Sequence, residues 1–97
     1  MIERDEILAI LRAALPDLKR CWPIGSLAVF GSVARGEASA ASDLDVLVEF
    51  AHPVGLSEFL SLEDALSALV GLRVDLVTRQ ALKPYIGRRI FGEAVLL

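Results

Sequence analysis

Leu27-Ala28-Val29-Phe30-Gly31-Ser32-Val33-Ala34-Arg35-Gly36 and, seven residues after Arg35, Ser42-Asp43-Leu44-Asp45-Val46-Leu47-Val48-Glu49-Phe50 form the stretch on which the reading of this chain turns. Leu27 to Phe30 is apolar and leads into Gly31-Ser32. The segment after Gly31-Ser32 can open a helix, so backbone N–H groups there could face an anion. Glycine allows a close backbone approach. Asp43 and Asp45 then sit two apart in a segment that continues Leu47-Val48-Glu49-Phe50. On a strand, residues i and i+2 point to the same face, so these two carboxylates should converge.

The elements around this stretch follow from periodicity. Ile7, Leu8, Leu11, Ala14, Leu15 and Leu18 keep helical spacing, and Pro16 predicts that the regular helix ends near Leu15. Pro23-Ile24-Gly25 punctuates the chain before a strand over about Ser26 to Phe30, apolar on both faces and therefore central. Glu37-Ala38-Ser39-Ala40-Ala41 reads as a loop or a short helical turn. A second strand covers about Asp43 to Phe50, and Ala51 to Gly55 breaks it before a helix capped by Ser57. Phe59, Leu62, Leu66, Leu69 and Val70 give that helix one apolar face, with Gly71 placed to end it. A third strand spans Leu72 to Thr78, Lys83-Pro84 opens a third helix to about Phe91, and Ala94 to Leu97 is a candidate edge strand. No repeat or linker interrupts the pattern, so residues 1–97 read as one α/β domain.

Composition narrows the function classes. The net charge of −3 provides no basic footprint, which argues against nucleic acid as the direct partner. The chain is 55% hydrophobic, yet no apolar stretch approaches the ~20 residues needed to span a bilayer. Either a dense core or a partner surface accounts for the apolar excess. The N-terminus, Met1-Ile2-Glu3-Arg4-Asp5-Glu6, has none of the features of a secretion signal, so a cytoplasmic location is expected. Cys21 alone cannot form an internal disulfide and reads as a small apolar residue; with His52 as the sole histidine there is no zinc set. His52 reads as a loop residue and Trp22 as core or partner surface.

Asp75 lies within Val74-Asp75-Leu76-Val77, where a charged residue of poor strand propensity needs a reason. It is either a third carboxylate of the Asp43/Asp45 site, if the strands are neighbours, or a surface residue paired with Arg73 or Arg79. Two carboxylates ~4 Å apart repel by about 4 kcal/mol at an effective dielectric near 20, so such a cluster takes up protons or divalent cations. Magnesium suits hard oxygen ligands and completes its shell with substrate phosphates, which the Gly31-Ser32 turn could present. The matching chemistry is nucleotidyl transfer: an acceptor hydroxyl attacks the α-phosphate of a nucleoside triphosphate and pyrophosphate leaves. Asp43 and Asp45 would hold two ions, Asp75 would complete the second ion or take the acceptor's proton, and Ser32 would bond a phosphate oxygen. Arg35, and less directly Lys83, Arg88 and Arg89, could reach phosphate or could simply be solvated.

The pattern Gly-Ser-x-Ala-Arg-Gly, a spacer, then Ser-Asp-x-Asp-x-x-Val resembles the minimal nucleotidyltransferases of the polymerase-beta-like superfamily, the MNT antitoxins paired with HEPN-domain toxins. Gly31, Ser32, Ala34, Arg35, Gly36, Ser42, Asp43, Asp45 and Val48 carry it, with Asp75 matching the later carboxylate from context. The resemblance spans nearly the whole chain. It implies a mixed β-sheet with helices packed mainly on one face, ATP as substrate and magnesium as cofactor. It also implies transfer of AMP to a tyrosine of a HEPN ribonuclease toxin, which silences the toxin. The absence of an acceptor-holding segment suits a protein acceptor docking in trans. The alternatives are an antitoxin that works by masking alone, or a small-molecule or RNA nucleotidyltransferase. Base preference, the number of AMP units, the acceptor residue and the stoichiometry are not encoded in any motif.

Overall fold

The computed structural model of the chain describes residues 3–37, 43–81 and 93–97. The first helix, α1 (Arg4–Cys21), carries Asp5 and Glu6 in its first turn and Lys19 and Arg20 in its last, both placed to complement the helix dipole. It buries Ile7, Leu8, Leu11 and Leu18. It also runs straight through Pro16, correcting the expectation that it stops near Leu15. A proline inside a helix forfeits one hydrogen bond and costs about 3 kcal/mol. Here its ring is on the exposed side, and the extra turn carries Leu18 and Trp22 onto the core. Cys21, at the end of that turn, is exposed and not a core residue.

Strand β1 (Ile24–Phe30) leads into the single-turn helix α2 (Gly31–Ala34), and β2 (Leu44–Phe50) returns antiparallel to β1. Helix α3 (Leu56–Val70) then crosses to β3 (Val74–Thr78), parallel to β2, and β4 (Val95–Leu96) closes the sheet against β1. The order is β3-β2-β1-β4, so β1 lies inside the sheet and the C-terminal strand forms an edge, as its pattern predicts. The third predicted helix, near Lys83 to Phe91, lies outside the described residues.

Alternation divides the sheet cleanly. Leu27, Val29, Leu44, Val46, Val48, Val74 and Leu76 join Leu11, Leu62 and Leu66 of the helices in one core. Partners on the opposite face are Phe30 with Asp45, Ala28 with Leu47, and Asp45 with Asp75. The sheet is therefore mixed, with α1 and α3 packed on the same side. Truncating a leucine of this core to alanine typically costs 2–5 kcal/mol.

Helix α3 differs from expectation at its start. Gly55 occupies the capping position with no side-chain bond, while Ser57 already lies inside the helix. Leu62, Leu66 and Val70 are buried, but Leu69 is 40% exposed, having rotated off the core face. Gly71 ends the helix in the left-handed conformation at φ 69°, as its position predicts. Two side chains of α3 reach the outer edge of β3. Glu63 Oε2 accepts the Leu76 N–H at 2.9 Å, and Ser67 Oγ accepts the Val74 N–H at 3.1 Å.

Candidate active site

The site forms at the end of the sheet where β1 stops and β2 and β3 begin. Strand β1 ends at Phe30, paired with Asp45, and the next residue, Gly31, turns the chain at φ 74°. An L side chain is strained there. There is also no room for one, because a Cβ on Gly31 would overlap Asp45 Oδ2 and lie 3.1 Å from Asp45 Cγ. The backbone at Gly31 is thus packed directly on the Asp45 carboxylate, and α2 begins at that contact. The hydroxyl of Ser32, one residue on, makes no hydrogen bond among the described residues.

Parallel pairing places Asp75 in register with Asp45, on the same face and about 4.8 Å away along the hydrogen-bonding direction. Asp43 stands just ahead of β2 and is exposed. Burial lifts the half-buried Asp45 carboxyl above its ordinary value, and the negative charges of Asp75 and then Asp43 lift it further against the pull of Arg35. Two like charges beside one partly desolvated carboxylate form a site that gains from a cation. Asp75 makes no ion pair among the described residues; Arg79 instead donates to Glu49 at 3.2 Å.

These oxygen donors fit a hard divalent ion in charge and chemistry. Among the described residues, however, no three His, Cys, Asp or Glu side chains are drawn tightly enough to enclose one.

Arg35 is placed differently from a free phosphate ligand. Its Nε bonds Glu37 and its Nη1 bonds Glu93, each at 3.0 Å, and these carboxylates hold the guanidinium more firmly protonated. Arg4 Nε donates to the Ala34 carbonyl at 3.0 Å, so α2 is fastened from the first helix as well. Neither Glu93 nor Arg4 carried a sequence signal, because both reach α2 from far along the chain. Lys83, Arg88 and Arg89 lie outside the described residues. His52 is exposed, its Nδ1 3.2 Å from the Pro53 carbonyl.

A broad concavity lies elsewhere. An open cavity of about 750 Å³, lined by Phe50, Pro53, Val54, Leu56, Phe59 and Thr78, sits at the far end of β2. Five residues of strand, about 16 Å, separate it from Asp45. Concavity alone would direct attention there, but the charged groups are at the other end. Leu56 and Leu60, one turn apart on α3 and 72% and 44% exposed, border that region with apolar surface. No helix among the described residues is long and apolar enough to cross a membrane.

Comparison with known proteins agrees with this fold. Residues 11–97 match the model of a nucleotidyltransferase domain. The chain is 42% identical over 95 residues to the protein adenylyltransferase MntA of Thermococcus cleftensis, covering 98% of this chain and 96% of the relative. A solved candidate minimal nucleotidyltransferase superposes with a TM-score of 0.83 at 38% identity, covering 99% of this chain and 97% of its own. A more distant chain, from the complex of a tri-AMPylated HEPN toxin with its MNT antitoxin in Shewanella oneidensis, shares the fold. It gives a TM-score of 0.59 at 18% identity over 96% of this chain and 67% of its own.

Proposed function

This chain belongs to the nucleotidyltransferase family, and from that premise we propose that it is an antitoxin that transfers AMP from ATP to a tyrosine of a HEPN-type ribonuclease. Residues 1–97 act as one minimal domain, working in the cytoplasm, with the acceptor supplied by the partner protein. The observation that carries the reading is the juxtaposition of Asp45, Asp75 and the Gly31 turn on the sheet face opposite α1 and α3. A 42% identical protein adenylyltransferase supports the AMP-transfer chemistry, and the AMPylated complex of a more distant fold relative suggests the class of acceptor.

In this reading the α-phosphate lies against the start of α2, where Ser32 Oγ donates to a phosphate oxygen. Asp43 and Asp45 would hold magnesium, which when bound would supply positive charge against the triphosphate. The tyrosine oxygen attacks the α-phosphorus, a Tyr Oη–Pα bond forms, and pyrophosphate departs with the bridging electrons. Asp75, on the strand beside Asp45, accepts the phenol proton, or would serve as a ligand to a second ion. Arg35 supports the turn through Glu37 and Glu93 and contributes positive charge next to Asp45.

The test is the intact mass of the partner before and after incubation with this chain, ATP and magnesium. A gain of one or more AMP units, absent with Asp43→Asn/Asp45→Asn, is expected. A stable complex with no mass gain would replace the enzyme with an antitoxin that acts by masking.

A further inference from the structure

The outer edge of β3 is not bare. Leu44 N donates to the Arg73 carbonyl at 2.9 Å, so the peptide groups of Arg73, and by alternation those of Asp75 and Val77, turn toward β2. Those of Val74 and Leu76 turn outward, where an edge strand ordinarily meets water or another chain. In this protein they meet α3. Ser67 Oγ takes the Val74 N–H while donating to the Glu63 carbonyl at 3.0 Å, and Glu63 Oε2 takes the Leu76 N–H. The two clamped amides flank Asp75 on either side in sequence. Both bonds are partly buried, which makes them harder for water to replace.

We propose that Glu63 is a positioning residue for the transfer reaction: with Ser67, it clamps the β3 backbone on both sides of Asp75 and so holds that carboxylate in register beside Asp45. This rests on the adenylyltransferase reading above and deepens it, because it assigns a role to a carboxylate outside the motif. Glu63 touches no reacting atom. It acts through the strand that carries Asp75, as outer groups hold inner ones at metal and catalytic centres, where their loss typically costs about 10- to 100-fold in activity. A strand that slipped by one residue would send Asp75 to the opposite face.

The side chain needs only to accept a hydrogen bond, so Gln at 63 should serve and Ala should not. In Glu63→Ala, kcat for AMP transfer should fall at least about tenfold with KM for ATP nearly unchanged, and Glu63→Gln should restore most of it. Amide hydrogen exchange, read on the same proteins without ATP or partner, should speed up at Leu76 and along the β3 ladder in Glu63→Ala and return to normal in Glu63→Gln. Ser67→Ala, which removes only the Val74 acceptor, provides a milder second variant should Glu63→Ala fold poorly. Unchanged turnover in Glu63→Ala, a loss that appears in KM alone, or a Gln variant as impaired as Ala would overturn the proposal. Absence of transfer by the unaltered protein would count instead against the adenylyltransferase reading, leaving the exchange measurement to decide whether the clamp holds β3.

Discussion

Replacing Asp45 with Asn should make the ligand-free protein more stable while abolishing AMP transfer. The side chain keeps its shape and loses the charge that burial, Asp75 and Asp43 all oppose. Two unit charges about 5 Å apart, the spacing of neighbouring strands, repel by roughly 3 kcal/mol at an effective dielectric of 20 and roughly 0.8 kcal/mol in bulk water. Asp75 and Asp43 are exposed and Arg35 opposes the repulsion, so the water-like end applies and the net gain is about 1 kcal/mol. In a domain of this size that raises Tm by about 4–8 °C.

The pH dependence fixes the sign. Because the folded state raises the Asp45 carboxyl above its ordinary value of 3.8, folding favours the protonated form. The associated stability is fully present below that ordinary value and is lost as pH rises through the raised one. The advantage of Asn over Asp should therefore be small near pH ~3, below the ordinary value, and large near pH ~7.5, in melts followed by circular dichroism with a chelator present. Added magnesium should raise the Tm of the unaltered protein and leave Asp45→Asn nearly unmoved. A lower Tm for Asp45→Asn at the higher pH, or the same gain at both, would refute the reasoning.

Gly31→Ala places a methyl group against the Asp45 carboxylate at a backbone angle that costs an L residue about 1–2 kcal/mol. It should fold, with a lower Tm, and lose about 100-fold in AMP transfer measured below its melting range, since the carboxylate must move to make room. Pro16→Ala should gain about 2 kcal/mol in urea unfolding by restoring the missing bond to the Arg12 carbonyl, less the entropy it returns to the unfolded chain, with turnover unchanged.

The parts of this molecule legible in the sequence are those that depend on neighbours in the chain. Gly31-Ser32 at a strand end and the two-residue spacing of Asp43 and Asp45 follow from local geometry. The pairing of Asp45 with Asp75 follows once the intervening helical segment is taken as a crossover between parallel strands. What was not legible depends on packing between distant segments. Pro16 stays helical because the turn beyond it delivers Leu18 and Trp22 to the core, which no propensity anticipates. Arg35 faces Glu93, 58 residues away, and Glu63 finds the Leu76 amide only because α3 docks along β3. A polar residue in an amphipathic helix carries no mark that distinguishes a strand clamp from a solvated position.

Among the described residues strand β4 pairs with β1 at two positions, Ala28 with Leu96 and Val29 with Val95, supplemented by the Leu97 N–H on the Leu27 carbonyl at 2.9 Å. So short a closing strand is held as much by side chains, Arg12 on the Leu96 carbonyl and Arg35 on Glu93, as by its own ladder. Because Arg35 follows directly on α2 and also holds Glu93, the Gly31 turn and the closing strand are mechanically tied, so that whatever loosens the end of the chain also loosens the turn that packs on Asp45.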